Sequence, residues 1–279
     1  MHIRTLTDKT EILSILSTDR LYAAYPLGDL TPGLFEQCTW VAAENGSNIA
    51  LGMSFNGLMT PAIFVMGETE GVRAILAHSL RPADAHLTLQ PAHVKAIESV
   101  YATTEARQMF RMHVDRQSFR PSSIQTVRLH QSDLRDLNAL YAWGGPGFFA
   151  LYQLEQGIYY GAMADGKLIS AAGTHVVAPE YGIAAVGNVY THPEYRGRGY
   201  ATACTGAVTA DLLEMGCQSV VLNVWQENTP ALRAYQRLGY AVHCAYIEAR
   251  GQRRSTTSRF IHRIVGKKQT TTAETDDNL

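Results

Sequence analysis

Residues Val186 to Ala201 read VGNVYTHPEYRGRGYA. A β-rich run ends at Thr191, a polar turn follows at His192-Pro193-Glu194-Tyr195, and Arg196-Gly197-Arg198-Gly199-Tyr200-Ala201 opens a helix. Glycine lets the backbone approach a ligand closely. The first N–H groups of a helix have no partner within it and point outward. With the helix dipole they form a site for phosphate or pyrophosphate. Ala201, Cys204, Val208 and Leu212 fall on one stripe, as a helix over Gly199–Met215 requires. A plainer reading is that Gly197 and Gly199 only permit a tight turn. A dinucleotide-binding turn is the other rival, and it fits poorly. Thr202 stands where the third glycine belongs, the polar turn separates strand from glycines, and no acidic residue ends a strand about 20 positions later.

Downstream, Leu222 to Tyr240 read LNVWQENTPALRAYQRLGY. Thr229 can cap a helix with Pro230 at its first position, and Gly239 closes that helix after Leu238. Tyr235 lies seven residues after Asn228. By spacing alone, Tyr235 reads as a core aromatic on an amphipathic helix.

The elements that must position these residues follow from patterning. In the second half, a helix is expected at Ser132–Tyr141 and a glycine loop at Gly144-Gly145-Pro146-Gly147. Strands are expected at Gly157–Ala164, Lys167–Val177 and Gly182–Thr191, with Asp165-Gly166 as a hairpin turn. The helix over Gly199–Met215, a strand over Ser219–Val224, a helix over Pro230–Leu238 and a strand over Ala241–Ile247 complete it. The first half gives a helix at Glu11–Leu21, strands at Thr39–Ala43, Ile49–Phe55 and Ala62–Met66, and a helix at Glu68–His78. A strand at His86–Leu89, a helix at Ala92–Tyr101 and a strand at Gln108–Val114 follow. Helices after runs of strands imply a mixed α/β sheet, and the repeated order implies two related domains. Pro121, Ser122 and Ser123 place a linker at 119–125 between domains at 1–118 and 126–266, and KKQTTTAETDDNL at 267–279 reads as a disordered tail.

Composition excludes several classes. The 279 residues suffice for two domains with real cores, and a formal charge of −1 supplies no global field for nucleic acid. No apolar run approaches the roughly 20 residues of a membrane span, and no secretory segment opens the chain. The four cysteines form no CxxC pair and the ten histidines no HxxxH or HExxH spacing, so neither a metal site nor a disulfide framework is expected. These features point to the cytoplasm.

From about Thr126 to Ala249 the chain resembles the GNAT superfamily of acyl-CoA-dependent N-acyltransferases. Arg196-x-x-Gly199-x-Ala201 matches the family's pyrophosphate loop, VYTHPEYRGRGYA its central strand and loop, and Asn228 to Tyr240 (N-x-P-A-x-x-x-Y-x-x-x-G-Y) its last helix. Within the family this half looks closest to the branch that includes glycine N-acyltransferases. The first half looks like a degenerate copy with no R-x-x-G-x-A equivalent, so it is not expected to bind coenzyme A.

The resemblance implies acetyl transfer from acetyl-CoA to a primary amine. Val189, Tyr190 and Thr191 would pair with pantetheine where the central strands splay, and a backbone N–H there can polarise the acyl carbonyl. Gly197, Arg198, Gly199, Tyr200, Ala201 and Thr202, beside Arg196, would wrap the pyrophosphate. Asn228 would hold the pantetheine arm, and Tyr235 would protonate the leaving thiolate. The general base is missing: Asn223, Ala184 and Ala185 occupy the positions where related enzymes place a glutamate. Glu227, Glu180 and His175 remain as bases. Supplying a lysine-like amine of pKa ~10.4 in free form at pH 7 costs about 4–5 kcal/mol, an α-amino group near ~8 only about 1. A less basic amine or a water relay therefore suits this chain. Gly144 to Gly147 with Phe148, Phe149 and Tyr152 could shape an acceptor pocket. Arg250, Arg253, Arg254, Arg259 and Arg263 read as a solvated strand face. Trp143 and Trp225 would flank the cleft, though packing is the plainer role. A small-molecule amine is the expected partner, and a monomer or homodimer the expected state. The rivals are a longer acyl-CoA or a peptide or protein amine, and a non-catalytic acyl-CoA sensor.

Overall fold

The computed structural model describes residues 1–145 and 149–254. The expected tail at 267–279, Arg259, Arg263 and Pro146 to Phe148 lie outside them. The first half runs β1 (His2–Leu6), α1 (Lys9–Leu16), α2 (Ala24–Gly28), β2 (Cys38–Asn45), β3 (Asn48–Phe55), β4 (Ala62–Gly67), α3 (Thr69–His78), β5 (Asp84–Leu89), α4 (Val94–Glu98) and β6 (Tyr101–Val114). The second half runs β7 (Val127–Arg128), α5 (Leu134–Tyr141), α6 (Leu151–Gln156), β8 (Tyr160–Ala164), β9 (Lys167–Ala178), β10 (Ile183–Thr191), α7 (Tyr200–Glu214), β11 (Ser219–Trp225), α8 (Thr229–Arg237) and β12 (Ala241–Arg253). Both halves therefore follow the same order of elements.

All twelve strands join one mixed sheet in the order β1-β2-β3-β4-β5-β12-β6-β11-β10-β9-β8-β7. The last strands are exchanged. The first half's β6 lies against the second half's β11, and β12 lies between β5 and β6. The β6–β12 ladder runs from the Ala241–His113 pair to the Arg253–Tyr101 pair, so backbone hydrogen bonds continue across the halves. Among the described residues, only β4–β5 and β10–β11 are parallel.

The faces alternate as a pleated strand requires. Ala184, Val186, Val220 and Leu222 pack with Cys204, Val208 and Leu212 of α7. Ile183, Ala185 and Val221 pack on the other face with Ala23, Ala24 and Leu27 of the first half. The contact is tight: a Cβ at Gly28 would stand 2.4 Å from a methyl of Val176. Thus α2 of the first half roofs the second half's sheet.

Several expected elements differ. The helix expected over Ala92–Tyr101 is a short 3-10 turn plus α4, and it ends at Glu98. Tyr101 instead begins β6, its ring fully buried and its hydroxyl donating to the Pro82 carbonyl. The expected helix over Glu11–Leu21 stops at Leu16 and continues as a 3-10 turn over Ser17–Asp19. The strands β1 and β7 and the helices α2 and α6 leave no clear pattern in the sequence. In β1 and β7 only Leu6 is buried, and α2 reads AYPLG, whose proline and glycine look like breakers.

Candidate active site

Strands β10 and β11 pair only from Ile183–Ser219 to Val186–Leu222. Beyond that, β10 keeps to β9 and β11 keeps to β6, so Gly187–Thr191 and Asn223–Trp225 have no partner in each other. The separation coincides with a bulge in β10, where Asn188 has φ +52°. Asparagine tolerates this conformation better than most residues. The bulge is held on three sides. The Asn188 carbonyl accepts from Tyr141 Oη (2.7 Å), its Nδ2 donates to Tyr159 Oη (2.7 Å), and its Oδ1 accepts from His175 Nε2 (3.0 Å).

From the splay, β10 leads through a 3-10 turn over Pro193–Tyr195 into the glycine loop. Gly197 has φ +77° and Gly199 φ +88°, conformations costly for any residue with a Cβ. Gly199 is the N-cap of α7 and offers no side chain, so no side chain caps the helix start. Nothing lies within 4 Å of a Cβ placed on Gly197. Arg196 Nε donates to the Thr191 carbonyl (3.1 Å), and its guanidinium lies 5.5 Å from the Tyr190 ring. Arg198 donates to the Glu194 carbonyl and stacks on Tyr195. Both arginines stay exposed while their stems are braced. The structure thus brings Val189, Tyr190 and Thr191 together with Arg196 to Thr202 along one open edge. These residues fit a pyrophosphate: among the described residues no side chain caps the helix start, and two exposed arginines flank the turn.

The equivalent helix of the first half is closed. Glu68 caps α3 with both carboxylate oxygens, accepting from the Glu70 and Gly71 backbone N–H groups at 2.9 and 2.7 Å. A carboxylate fills the place an anion would need.

On the face that α2 covers, the splay holds a directed chain of hydrogen bonds. Because Asn188 Oδ1 accepts from His175 Nε2, the other ring nitrogen Nδ1 accepts from Tyr25 Oη at 2.9 Å. Tyr25 Oη in turn accepts from Asn223 Nδ2 at 3.3 Å. Tyr25 belongs to α2 of the first half. Desolvation holds the His175 pKa below the ordinary histidine value, despite the Asn188 bond. Of the expected bases, Glu227 lies in an exposed turn after β11, and Glu180 lies in the turn before β10, at the end of the strand away from the splay.

Tyr235 is buried on α8, packed 6.2 Å from the Tyr240 ring, and its hydroxyl makes no hydrogen bond among the described residues. Burial pushes its pKa up to about 12. Asn228, not Thr229, caps α8: its Oδ1 accepts from the Ala231 N–H at 3.2 Å. Asparagine outcompetes the adjacent threonine because its oxygen reaches the third helical N–H. Trp143 stays exposed with its ring 4.7 Å from His192, and Trp225 is exposed at the end of β11. Phe149 packs edge-on against Tyr141 and Tyr159, a core role. Arg253 donates to the Leu76 and Ala77 carbonyls at the end of α3, and Arg254 to the Glu98 carbonyl of α4. These two arginines cap helices rather than form a solvated face.

Comparison with known proteins agrees with this architecture. A protein of the GNAT family from Novosphingobium aromaticivorans superposes with a TM-score of 0.58, at 22% identity, over 83% of this chain and 97% of its own. A tandem GNAT protein from the clavulanic acid biosynthesis pathway superposes with a TM-score of 0.54, at 12% identity, over 91% of this chain and 99% of its own. The fold is that of a tandem GNAT protein. Residues 126–240 match the Acetyltransferase (GNAT) family. Mycothiol acetyltransferase from Corynebacterium aurimucosum is 35% identical over 71 residues. That match spans 23% of this chain and 23% of the relative's length.

Proposed function

We propose that this protein transfers acetyl from acetyl-CoA to a primary amine by direct attack in a ternary complex. The observation that carries the reading is the splay of β10 from β11, running into a glycine-turned, uncapped helix start. That edge accommodates an extended arm ending in pyrophosphate, and the acetyltransferase relative supports acetyl as the group moved.

In this reading the coenzyme supplies a thioester, and the chain supplies position and proton movement. Backbone groups of Val189, Tyr190 and Thr191 hold the pantetheine and polarise the carbonyl. Residues Arg196 to Thr202 hold the pyrophosphate, and Asn228 offers its remaining amide group to the arm. The amine nitrogen bonds to the acetyl carbon as the carbon–sulfur bond breaks. The nitrogen becomes acidic on bonding, and its proton passes to Tyr25 Oη as the Tyr25 proton moves to His175 Nδ1. Tyr235 is assigned to the departing sulfur. With its pKa at about 12 against ~8.5 for a thiol, full proton transfer is uphill, so Tyr235 stabilises the thiolate by hydrogen bonding. A histidine hydrogen-bonded to both Tyr25 and Asn188 at the splay favours an enzyme over a silent sensor. The acceptor side needs no nucleic acid and no membrane; no described helix is long and apolar enough to cross one.

Calorimetric titration with acetyl-CoA tests the reading, with thiol release across an amine panel as its second arm. Micromolar binding that disappears in Gly199→Trp, together with thiol release, is expected. No binding by the unaltered protein overturns it.

A further inference from the structure

Arg111 of β6 is 1% exposed, and its Nε and Nη1 have no hydrogen-bond partner among the described residues. No ion pair among the described residues includes it. A buried cation without a counter-ion is among the most costly features a core can carry. By packing alone, an apolar side chain of similar volume would suit this position better. Arg111 instead meets aromatic faces: its guanidinium lies 4.9 Å from the Tyr25 ring and 5.1 Å from the Tyr246 ring. Such faces offset only part of the cost. The charge is therefore held against the ring of one phenol at the splay, Tyr25.

Tyr25 meets charged or polar groups from four strands. From β9, His175 Nδ1 accepts from Tyr25 Oη at 2.9 Å. From β6 comes the Arg111 cation. From β11, Asn223 Nδ2 donates to Tyr25 Oη at 3.3 Å, and Asn223 is the cross-strand partner of Arg111. From β12, Glu248 bears on Tyr25 with the opposite sign, its carboxylate taken up by the Tyr246 hydroxyl at 2.6 Å. Moving the Tyr25 proton to His175 is uphill: burial pushes the phenol up to about 12, while desolvation holds the imidazole below its ordinary value. Negative charge gathers on the Tyr25 oxygen as that proton leaves. Arg111 and the Asn223 amide favour this charge, and Glu248 opposes it.

We propose that Arg111 is a positioning residue for acyl transfer: its buried charge, held against the Tyr25 ring, stabilises the negative oxygen that Tyr25 becomes while it relays the amine proton to His175. The inference rests on the acetyltransferase reading. In the relay the Tyr25 O–H bond breaks as a bond forms between that proton and His175 Nδ1. The amine N–H bond breaks as the Tyr25 O–H bond forms again. Tyr25 ends neutral, and the imidazolium carries the proton until water takes it. Arg111 touches neither amine nor thioester and acts only through Tyr25. The asparagine at position 223 fits this role. Opposite residues on adjacent strands stand about 5 Å apart at Cβ, so a carboxylate there would pair with Arg111 and cancel the charge that Tyr25 uses.

The test reads the Tyr25 phenol directly. Difluorotyrosine, a more acidic phenol, is placed at position 25, and its titration is followed by fluorine NMR in the unaltered background and in Arg111→Met. An opposite charge within about 4–6 Å lowers an acid's pKa by about one to three units, so Arg111→Met should raise the titration by that amount. With tyrosine at position 25, Arg111→Met should lower kcat for thiol release about tenfold or more, with KM and acetyl-CoA affinity unchanged. The loss should shrink when difluorotyrosine stands at position 25, because the fluorines supply the acidity that the cation no longer does. Arg111→Met should also melt higher than the unaltered protein, since methionine fills the space without an unpaired charge. If that variant does not fold, Arg111→Gln removes the same charge and carries the same expectations. An unshifted fluorine titration, or a loss of kcat equal with either phenol, would make Arg111 a structural residue and overturn the proposal, leaving the acetyltransferase reading standing. Absence of acetyl-CoA binding and thiol release in the unaltered protein would overturn that reading and the role in transfer with it. A shifted titration would then still establish the coupling of Arg111 to Tyr25.

Discussion

Asp29 follows α2 one helical turn beyond Tyr25, and its carboxyl makes no hydrogen bond or ion pair among the described residues. Desolvation alone pushes its pKa up to about 7. An unfolded aspartate titrates near ~3.9, so the shift is about three units, or ~4 kcal/mol at ~1.4 kcal/mol per unit. Asp29 is partly exposed, and solvent screening makes this a ceiling, with about 2–4 kcal/mol expected. The sign follows from proton counting. Between pH 4 and 7 the folded carboxyl binds more protons than the unfolded one, so stability falls as pH rises through that window. Below pH 4 both forms are protonated and the term disappears. Asp29→Asn removes the titration. Urea unfolding of both proteins at pH 4, 6 and 8 reads the difference, in which all other titrating groups cancel. The variant should match the unaltered protein at pH 4 and exceed it by about 2–4 kcal/mol at pH 8. Equal differences at all three pH values, or a variant weaker at pH 8, would refute the burial argument.

Three further perturbations separate the site from the scaffold. Gly197→Ala meets no neighbour, so calorimetry should find about 1–2 kcal/mol of backbone strain together with weakened acetyl-CoA binding. Glu68→Ala removes the α3 cap and should cost about 1 kcal/mol, with acetyl-CoA affinity unchanged in the same titration. His175→Gln should lower kcat about a hundredfold or more. Because the His175 pKa is lowered, the unaltered enzyme should lose activity only below the ordinary histidine value near 6.5, a limb the variant lacks in a pH–rate profile.

The legible parts of this protein were those whose chemistry is local in the chain. The run from Gly187 to Thr202 carries its own strand end, turn and helix start, and the Asn228–Tyr240 helix brings its own cap and stop. Pairings between distant residues left no such mark. Tyr101 pairs with Arg253 across the exchanged strands, and the polar run Thr103 to Gln108 in β6 reads as loop because its partner comes from the far half. Tyr25 sits in a five-residue helix interrupted by proline, with no motif around it. Arg111 alternates with apolar neighbours in QMFRMHV and so reads as the solvent side of a strand. Only the roof of α2 reveals that its side faces inward.

Strand exchange gives the first half a role that its closed helix start hides. With Glu68 occupying the α3 cap, that half offers no second coenzyme loop, and a spare copy would be free to drift. Instead it supplies Tyr25 from α2 and Arg111 from β6, while the second half supplies His175, Asn188 and Asn223. The exchange fixes these groups mutually: β6 lies directly against β11, so Arg111 is registered opposite Asn223 by backbone hydrogen bonds rather than by side-chain packing alone. A single copy of the fold would carry the glycine loop and the splay but neither the cation nor the phenol. The strands the two halves trade thus hold Arg111 of the first half in register beside Asn223 of the second.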